Sequence, residues 1–271
     1  VTASHDFDFS PDSSRLYIGL SFGSASVATD AKHPLWDGEL ITDMSALTAR
    51  SPGAELRVIS YLPKAGGHTV RYTRIAGHPY LLTNYEIDCV AGVPAYAPAG
   101  VDVVDIGDER HPRVVGHFTL QVNATAENCM ATRDDKTTVW AHFANVDDPR
   151  DATMLFVSWM SSGLRVIDIR DPRHPREVGY LNPVRGGATA YSYPVYDPTT
   201  RVVTYADTKL GLVVMRLSQD VLATRGRTPA TPEPRDPALV SRLQATLPGV
   251  RWFCGPANNE DPLTSYAALH H

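Results

Sequence analysis

Gly100-Val101-Asp102-Val103-Val104-Asp105-Ile106-Gly107-Asp108-Glu109-Arg110-His111-Pro112-Arg113-Val114-Val115-Gly116 aligns almost residue for residue with Gly163-Leu164-Arg165-Val166-Ile167-Asp168-Ile169-Arg170-Asp171-Pro172-Arg173-His174-Pro175-Arg176-Glu177-Val178-Gly179, at an offset of 63. Each segment is a β-branched run, a turn rich in Asp and Pro, and a return run, which reads as strand, tight turn and strand. Self-similarity at a fixed offset is the mark of a repeat architecture.

Weaker copies flank this pair. Leu40–Ser45 followed by Leu56–Tyr61 fits with a longer connection, and Gly211–Ser218 supplies a further first half. Upstream of each copy lie two more strand-like runs: His5–Phe9 and Leu16–Leu20, His68–Tyr72 and Tyr80–Asn84, Asn128–Thr132 and Thr138–His142, Tyr191–Val195 and Arg201–Tyr205. Ser10-Pro11-Asp12, Ala76-Gly77-His78-Pro79, Arg133-Asp134-Asp135 and Asp197-Pro198 separate their members as turns. The unit therefore has four strands. A four-stranded sheet cannot bury both its faces alone, and stacking such sheets about an axis covers them. The expected fold is all-β, a β-propeller of four-stranded blades with about four blades visible. Further blades upstream or closure by the C-terminal segment are both compatible with it, and a β-sandwich is the competing all-β arrangement.

The remaining composition bounds the function. The 271 residues are 43% hydrophobic and 20% charged, an ordinary globular balance. A formal net charge of -5 argues against a phosphate-backbone binder, so no nucleic-acid partner is expected. No apolar run reaches roughly 18 residues, so no membrane-inserted helix is expected. Cys89, Cys129 and Cys254 are odd in number and show no C-x-x-C spacing, which excludes a fully paired framework and a zinc ribbon. Val1-Thr2-Ala3-Ser4-His5 lacks the basic and apolar regions of a signal peptide, and His270-His271 reads as a tag remnant.

Residues 1–220 are read as the propeller and 221–271 as an appended segment. In the latter, Thr228–Pro234 is a Pro-rich connector, Asp236-Pro237 caps a short helix with Leu239, Leu243 and Leu247 on one face, and Trp252, Phe253 and Tyr266 lie in a tail expected to dock on the propeller.

The stretch Gly163–Tyr180, with its Val-Ile-Asp strand and Asp-Pro-x-x-Pro turn, resembles the LVIVD repeat of bacterial proteins. The likeness is fair over 100–118 and faint at 40–61 and 211–218, where the Asp-Pro-x-x-Pro turn is missing. The resemblance implies a β-propeller without an assigned activity, and secretion or a cell-surface location. Such a repeat marks a scaffold and not a reaction.

The site candidates follow from radial geometry. The innermost strand of each blade faces the axis, and its first residues sit at one mouth. In the expected alignment those residues are His5, His68, Asn128 with Glu127 beside it, and Tyr191. Two imidazoles, a carboxylate and a phenol at an axis suit acid/base work, with His5, His68, Glu127 and Tyr191 as catalytic candidates and Asn128, Cys129 and His142 as substrate contacts. No metal site and no particular cofactor is assigned. Water-lined channel polarity is the plain alternative.

Other conspicuous residues read as architecture. His111 and His174 hold equivalent turn positions, and His33 and His78 precede Pro in turns. Gly19-Leu20-Ser21-Phe22-Gly23 matches G-x-S-x-G without the helix a nucleophile elbow needs. Asp6, Asp8, Ser10 and Asp12 alternate like the front of a calcium loop, but Phe7 and Phe9 make the stretch a strand. Asp147-Asp148-Pro149-Arg150-Asp151 reads as a solvated acidic tip, and Asn123-Ala124-Thr125 is a glycosylation sequon by pattern only.

Two functions are expected from these features. One is a binding scaffold that presents an axial pocket and a loop face to a small-molecule or protein ligand. The other is a hydrolase, lyase or metal-assisted oxidoreductase working at the axial mouth through His5 and His68. The enzyme reading further expects His68→Ala to abolish turnover with little loss of thermal stability. Oligomeric state is left open.

Overall fold

The computed structural model describes residues 4–20, 38–63, 67–85, 100–120, 141–160, 162–182 and 190–223. They form fifteen strands and two short helices, and the strands are ordered into four antiparallel meanders. Sheet one holds β1 (Ser4–Phe9), β2 (Arg15–Leu20), β3 (Gly38–Asp43) and β4 (Arg57–Pro63). Sheet two holds β5 (Gly67–Ile75), β6 (His78–Tyr85), β7 (Gly100–Asp105) and β8 (Arg113–Thr119). Sheet three holds β9 (Phe143–Val146), β10 (Met154–Ser158), β11 (Leu164–Asp168) and β12 (Arg176–Leu181). Sheet four has three strands among the described residues, β13 (Val195–Asp197), β14 (Val202–Asp207) and β15 (Gly211–Arg216). Helix α1 (Ser45–Thr48) lies in the connection from β3 to β4, and α2 (Gln219–Ala223) follows β15.

The fold is a β-propeller, and each joint between sheets is a hydrophobic cluster. Tyr17 and Ile41 of sheet one pack against Val70, Tyr72, Leu81 and Val104 of sheet two. The opposite face of sheet two, with Leu82 and Val103, packs on Leu155, Val157 and Ile167 of sheet three. Phe156 and Val166 of sheet three then meet Val203 and Tyr205 of sheet four. Strand alternation explains this division, since successive residues point to opposite faces and each sheet serves two neighbours. Burial of these side chains, at about 1.5–3 kcal/mol each, is the main force holding the sheets together.

The sequence repeat is also a repeat of ladder irregularities. The third and fourth strands shift register at Ile41/Thr42, Val103/Val104 and Val166/Ile167. One extra residue at the same place in three blades bends each outer strand and raises its local twist. The β5–β6 hairpin pairs Ile75 with His78 across Ala76 and Gly77, both at positive φ (50° and 79°), as a type I′ turn requires.

The third and fourth sheets depart from the sequence-based alignment. The first described strand of sheet three, β9, begins at Phe143, directly after His142, while Asn128–Thr132 and residues 138–140 lie outside the described residues. The cause is a short connection. Trp159 and Gly163 close a tight turn between β10 and β11, whereas residues 21–37 and 86–99 lie in the corresponding places of sheets one and two. Assuming equal spacing put the inner strand too early. In sheet four, Tyr191 precedes the first strand, which starts at Val195.

Candidate functional site

The first strands of successive sheets lie side by side, β1 against β5 and β5 against β9. Two of them are irregular at the same place. The β1–β2 ladder slips between Ser4 and Asp6, and the β5–β6 ladder between Gly67 and Thr69. His5 and His68 are the extra residues, and a bulge at a sheet's rim re-aims the side chain it carries. The third sheet supplies His142, directly before β9, held by its backbone N–H donating to the Ser158 carbonyl at 2.9 Å.

These three imidazoles form a column at one end of the axis. Ring centroids are 3.7 Å apart for His5 and His68 and 4.7 Å for His68 and His142, and the Tyr191 ring follows 4.5 Å beyond His142. The column is tied onward to the segment before sheet four, where His142 Nδ1 lies 2.6 Å from the Tyr191 carbonyl oxygen. That contact makes Nδ1 the protonated nitrogen of neutral His142.

Burial governs the charge state. His68 and His142 are fully enclosed, and His5 is partly exposed. Loss of hydration pushes the His68 imidazole well below its ordinary 6.5, with the neighbouring His142 and His5 adding repulsion. The same loss of hydration lowers His5 and pushes His142 down to about 3. The column is therefore uncharged at neutral pH. Neighbouring rings are tilted by 38° to one another, and among the described residues no group of three His, Cys, Asp or Glu side chains is arranged to hold a metal ion.

Next to the column the axis carries groups that the sequence reading did not single out. Phe143 lies 4.1 Å from the His142 ring and 4.3 Å from the Tyr193 ring, centroid to centroid. The Arg71 guanidinium stands 4.3 Å over the Tyr193 ring and 3.4 Å from an Asp6 carboxylate oxygen. Arg71 lies in the inner run His68–Tyr72, 63 residues after Asp8, but no local pattern marks it as a site residue.

The structure thus brings together His5, His68, His142 and Tyr191. Glu127, Asn128 and Cys129 lie outside the described residues, as do Ser21, His33, Asn123, Cys89, Cys254 and the helix and tail expected within 224–271. His111 and His174 each bond the Asp three residues earlier in their turns, at 2.9 Å, and His78 bonds Asp105 at 2.7 Å. Asp6 and Asp8 accept backbone N–H groups from β5, and Asp12 is engaged by Ser10 and Ser14, which accounts for that alternating series without a calcium ion. Asp147 accepts from Thr153 and Met154 and so organises the β9–β10 turn.

At the opposite end of the axis, a groove of about 820 Å³ runs between sheets one and two. Tyr17 and Tyr72 line it, their rings stacked 5.6 Å apart, and Arg15 is bound to Glu109 at 2.7 Å on its wall.

No protein-family model matches this chain, and no curated protein matches it. Several solved structures align with part of it. A Bacteroides uniformis protein provisionally assigned as a 6-phosphogluconolactonase aligns at TM-score 0.49 and 10% identity, covering 79% of this chain and 53% of its own. A Bacteroides fragilis protein with the same provisional assignment aligns at TM-score 0.37 and 10% identity, covering 83% and 68%. KlHsv2 with one loop replaced by a Gly-Ser linker aligns at TM-score 0.34 and 10% identity, covering 80% and 63%. The chain spans about half the length of the first of these. Likeness at this level carries no activity from those proteins to this one.

Proposed function

We propose that this chain is a ligand-binding β-propeller of the LVIVD-repeat kind, and that its ligand face is the mouth where His5, His68, His142 and Tyr191 meet. The observation that carries the reading is an asymmetry between the two ends of the axis. At one end the longest connection between strands is 44–56, which holds α1, and the shortest is Ala76–Gly77. At the other, the turns after β10 and β14 are short, but the connections that contain 21–37, 86–99 and 121–140 are longer than any at the first end. Long connections at one end of a rigid scaffold are where binding residues concentrate. The connection 121–140, which carries Glu127, Asn128 and Cys129, returns to the sheets beside His142.

The chemistry of the mouth favours an uncharged, ring-bearing small molecule. Its imidazoles are neutral, its walls include Phe143 and Tyr193, and the charge of Arg71 is offset by Asp6. Thermal-shift screening of the purified chain against neutral sugars and heteroaromatic compounds tests this. Compounds that raise the melting temperature of the wild type, and lose that effect in both His5→Ala and Arg71→Ala, support the reading. Shifts that persist in both variants place the ligand elsewhere.

A second reading, acid/base catalysis at the same mouth, rests on His5, since the strong lowering of His68 and His142 makes those two rings weak bases. His5, partly exposed, is the ring in position to take a proton from a substrate. Hydrolysis of a chromogenic ester panel by the wild type and not by His5→Ala would favour catalysis over binding alone.

A further inference from the structure

Each sheet of the propeller has two faces, and inside the molecule both are covered. The two outermost faces carry exposed apolar side chains. On sheet one, Phe7, Phe9, Leu16, Ile18, Leu40 and Val58 share the face turned away from sheet two, as their cross-strand pairing requires. Phe7 is 55% exposed and Val58 63%. On sheet four, Val195, Leu212 and Val214 share the face turned away from sheet three, and Leu212 is 72% exposed and Val214 60%. Apolar surface of this extent on consecutive strands marks an interface.

The two faces are opposite halves of one kind of joint. The row Phe9, Leu16, Thr42 and Val58 across sheet one is the counterpart of the row Tyr72, Leu81, Val104 and Val114 across sheet two. The first three members of that second row are buried where sheet two sits on sheet one. The open face of sheet one is thus built to sit on a preceding blade. The open face of sheet four is the one that receives a following blade, because its other face, with Val203 and Tyr205, already packs on sheet three.

We propose that two copies of this chain join head to tail, with the open face of sheet one in each copy closing on the open face of sheet four in the other. The contact continues the stacking already present at three joints. Four blades from each copy make eight, within the range of about four to eight that propellers adopt. A head-to-tail contact ends in a ring when its rotation closes, and the proposed ring has two such contacts.

Light scattering coupled to size exclusion tests the proposal on the whole chain. The wild type is expected at twice the 29.6 kDa chain mass. Phe7→Lys and Val214→Glu, both at exposed positions, should each lose the dimer peak while circular dichroism shows unchanged strand content. Mixing the two variants should restore a dimer, because one of its two contacts is then wild type and the other joins Lys to Glu. A monomeric wild type overturns the proposal, as it would if residues of the same polypeptide covered the two faces. A Val214→Glu variant that stays dimeric overturns it in favour of pairing through sheet one alone. A mixture that stays monomeric overturns it as well.

Discussion

The ring of His5 stands 3.7 Å from the ring of His68, and each occupies a bulge in the first strand of its sheet, 63 residues apart in the chain. Two neighbouring blades thus meet at the axis through a pair of imidazoles, and His142 extends the pair to a third. Such a column tolerates no charge. Folded, these rings hold protons less readily than the unfolded chain, whose imidazoles titrate near 6.5. As pH falls, the unfolded state therefore binds protons first. The stability due to neutral imidazoles is complete above about pH 6.5, and for His142 it is lost from there down toward about 3. Each buried ring should cost about 1.4 kcal/mol per pH unit within its window. Urea unfolding at a series of pH values from 7.5 to about 4.5 should show a falling midpoint, and His142→Phe should flatten the fall.

His68 is enclosed on all sides, and burial of that kind predicts a stability loss for His68→Ala, against the expectation that the change would spare thermal stability. Removing the ring leaves a cavity between the His5 and His142 rings and Phe143. Large-to-small changes in packed sites cost about 2–5 kcal/mol, and a loss in the lower half of that range is expected here. His5→Ala, at a partly exposed ring, should cost less. Denaturant unfolding of both variants at neutral pH gives the comparison, and equal losses would mean that the column is looser than its spacing indicates.

Gly116 ends the second copy of the repeat because the next blade lies against it. A Cβ there would run into the Pro172 carbonyl oxygen, in the Asp-Pro-Arg-His-Pro turn of sheet three. At the equivalent Gly179 a Cβ would lie 2.8 Å from Cγ2 of Val221, so α2 takes the place that a turn takes one blade earlier. Gly116→Ala should destabilise the protein by about 1–3 kcal/mol, the usual cost of overpacking. Gly179→Ala should cost less, since it meets a side chain on a short helix and not a backbone carbonyl. Melting temperatures of the two single variants test the order.

What could be read in the sequence depended on how regular each repeat is. The Val-Ile-Asp strands and their Asp-rich turns are set by local chemistry, and β7, β8, β11 and β12 fall where the repeat places them. His5 and His68 could be paired because sheets one and two keep the same spacing. His142 was assigned to a second strand because the tight turn at Trp159–Gly163 shortens sheet three, and a single-sequence alignment has no means of sensing a missing connection. Arg71 and Tyr193 went unnoticed because their partnership spans three blades and has no local pattern.

Asp8 provides a test of how the first two blades are clasped. One carboxylate oxygen accepts the backbone N–H of Tyr72 at 2.9 Å, and the other accepts the N–H of Phe9 at 2.8 Å. Strand β1 thereby satisfies a donor on β5 that its own sheet leaves over, since neighbouring inner strands do not pair with each other. Burial raises the Asp8 carboxyl above its ordinary value, against the pull of these hydrogen bonds and of Arg71, so the negative charge itself is held at a cost. Asp8→Ala removes both acceptors and strands the Tyr72 N–H, for a loss of about 1–3 kcal/mol. Asp8→Asn keeps one acceptor oxygen and relieves the buried charge, so it should lie much closer to the wild type. Urea unfolding of the two variants at neutral pH separates the contributions. If Asn proved as damaging as Ala, the attraction between Asp8 and Arg71, and not the hydrogen bond to Tyr72, would be what joins the blades.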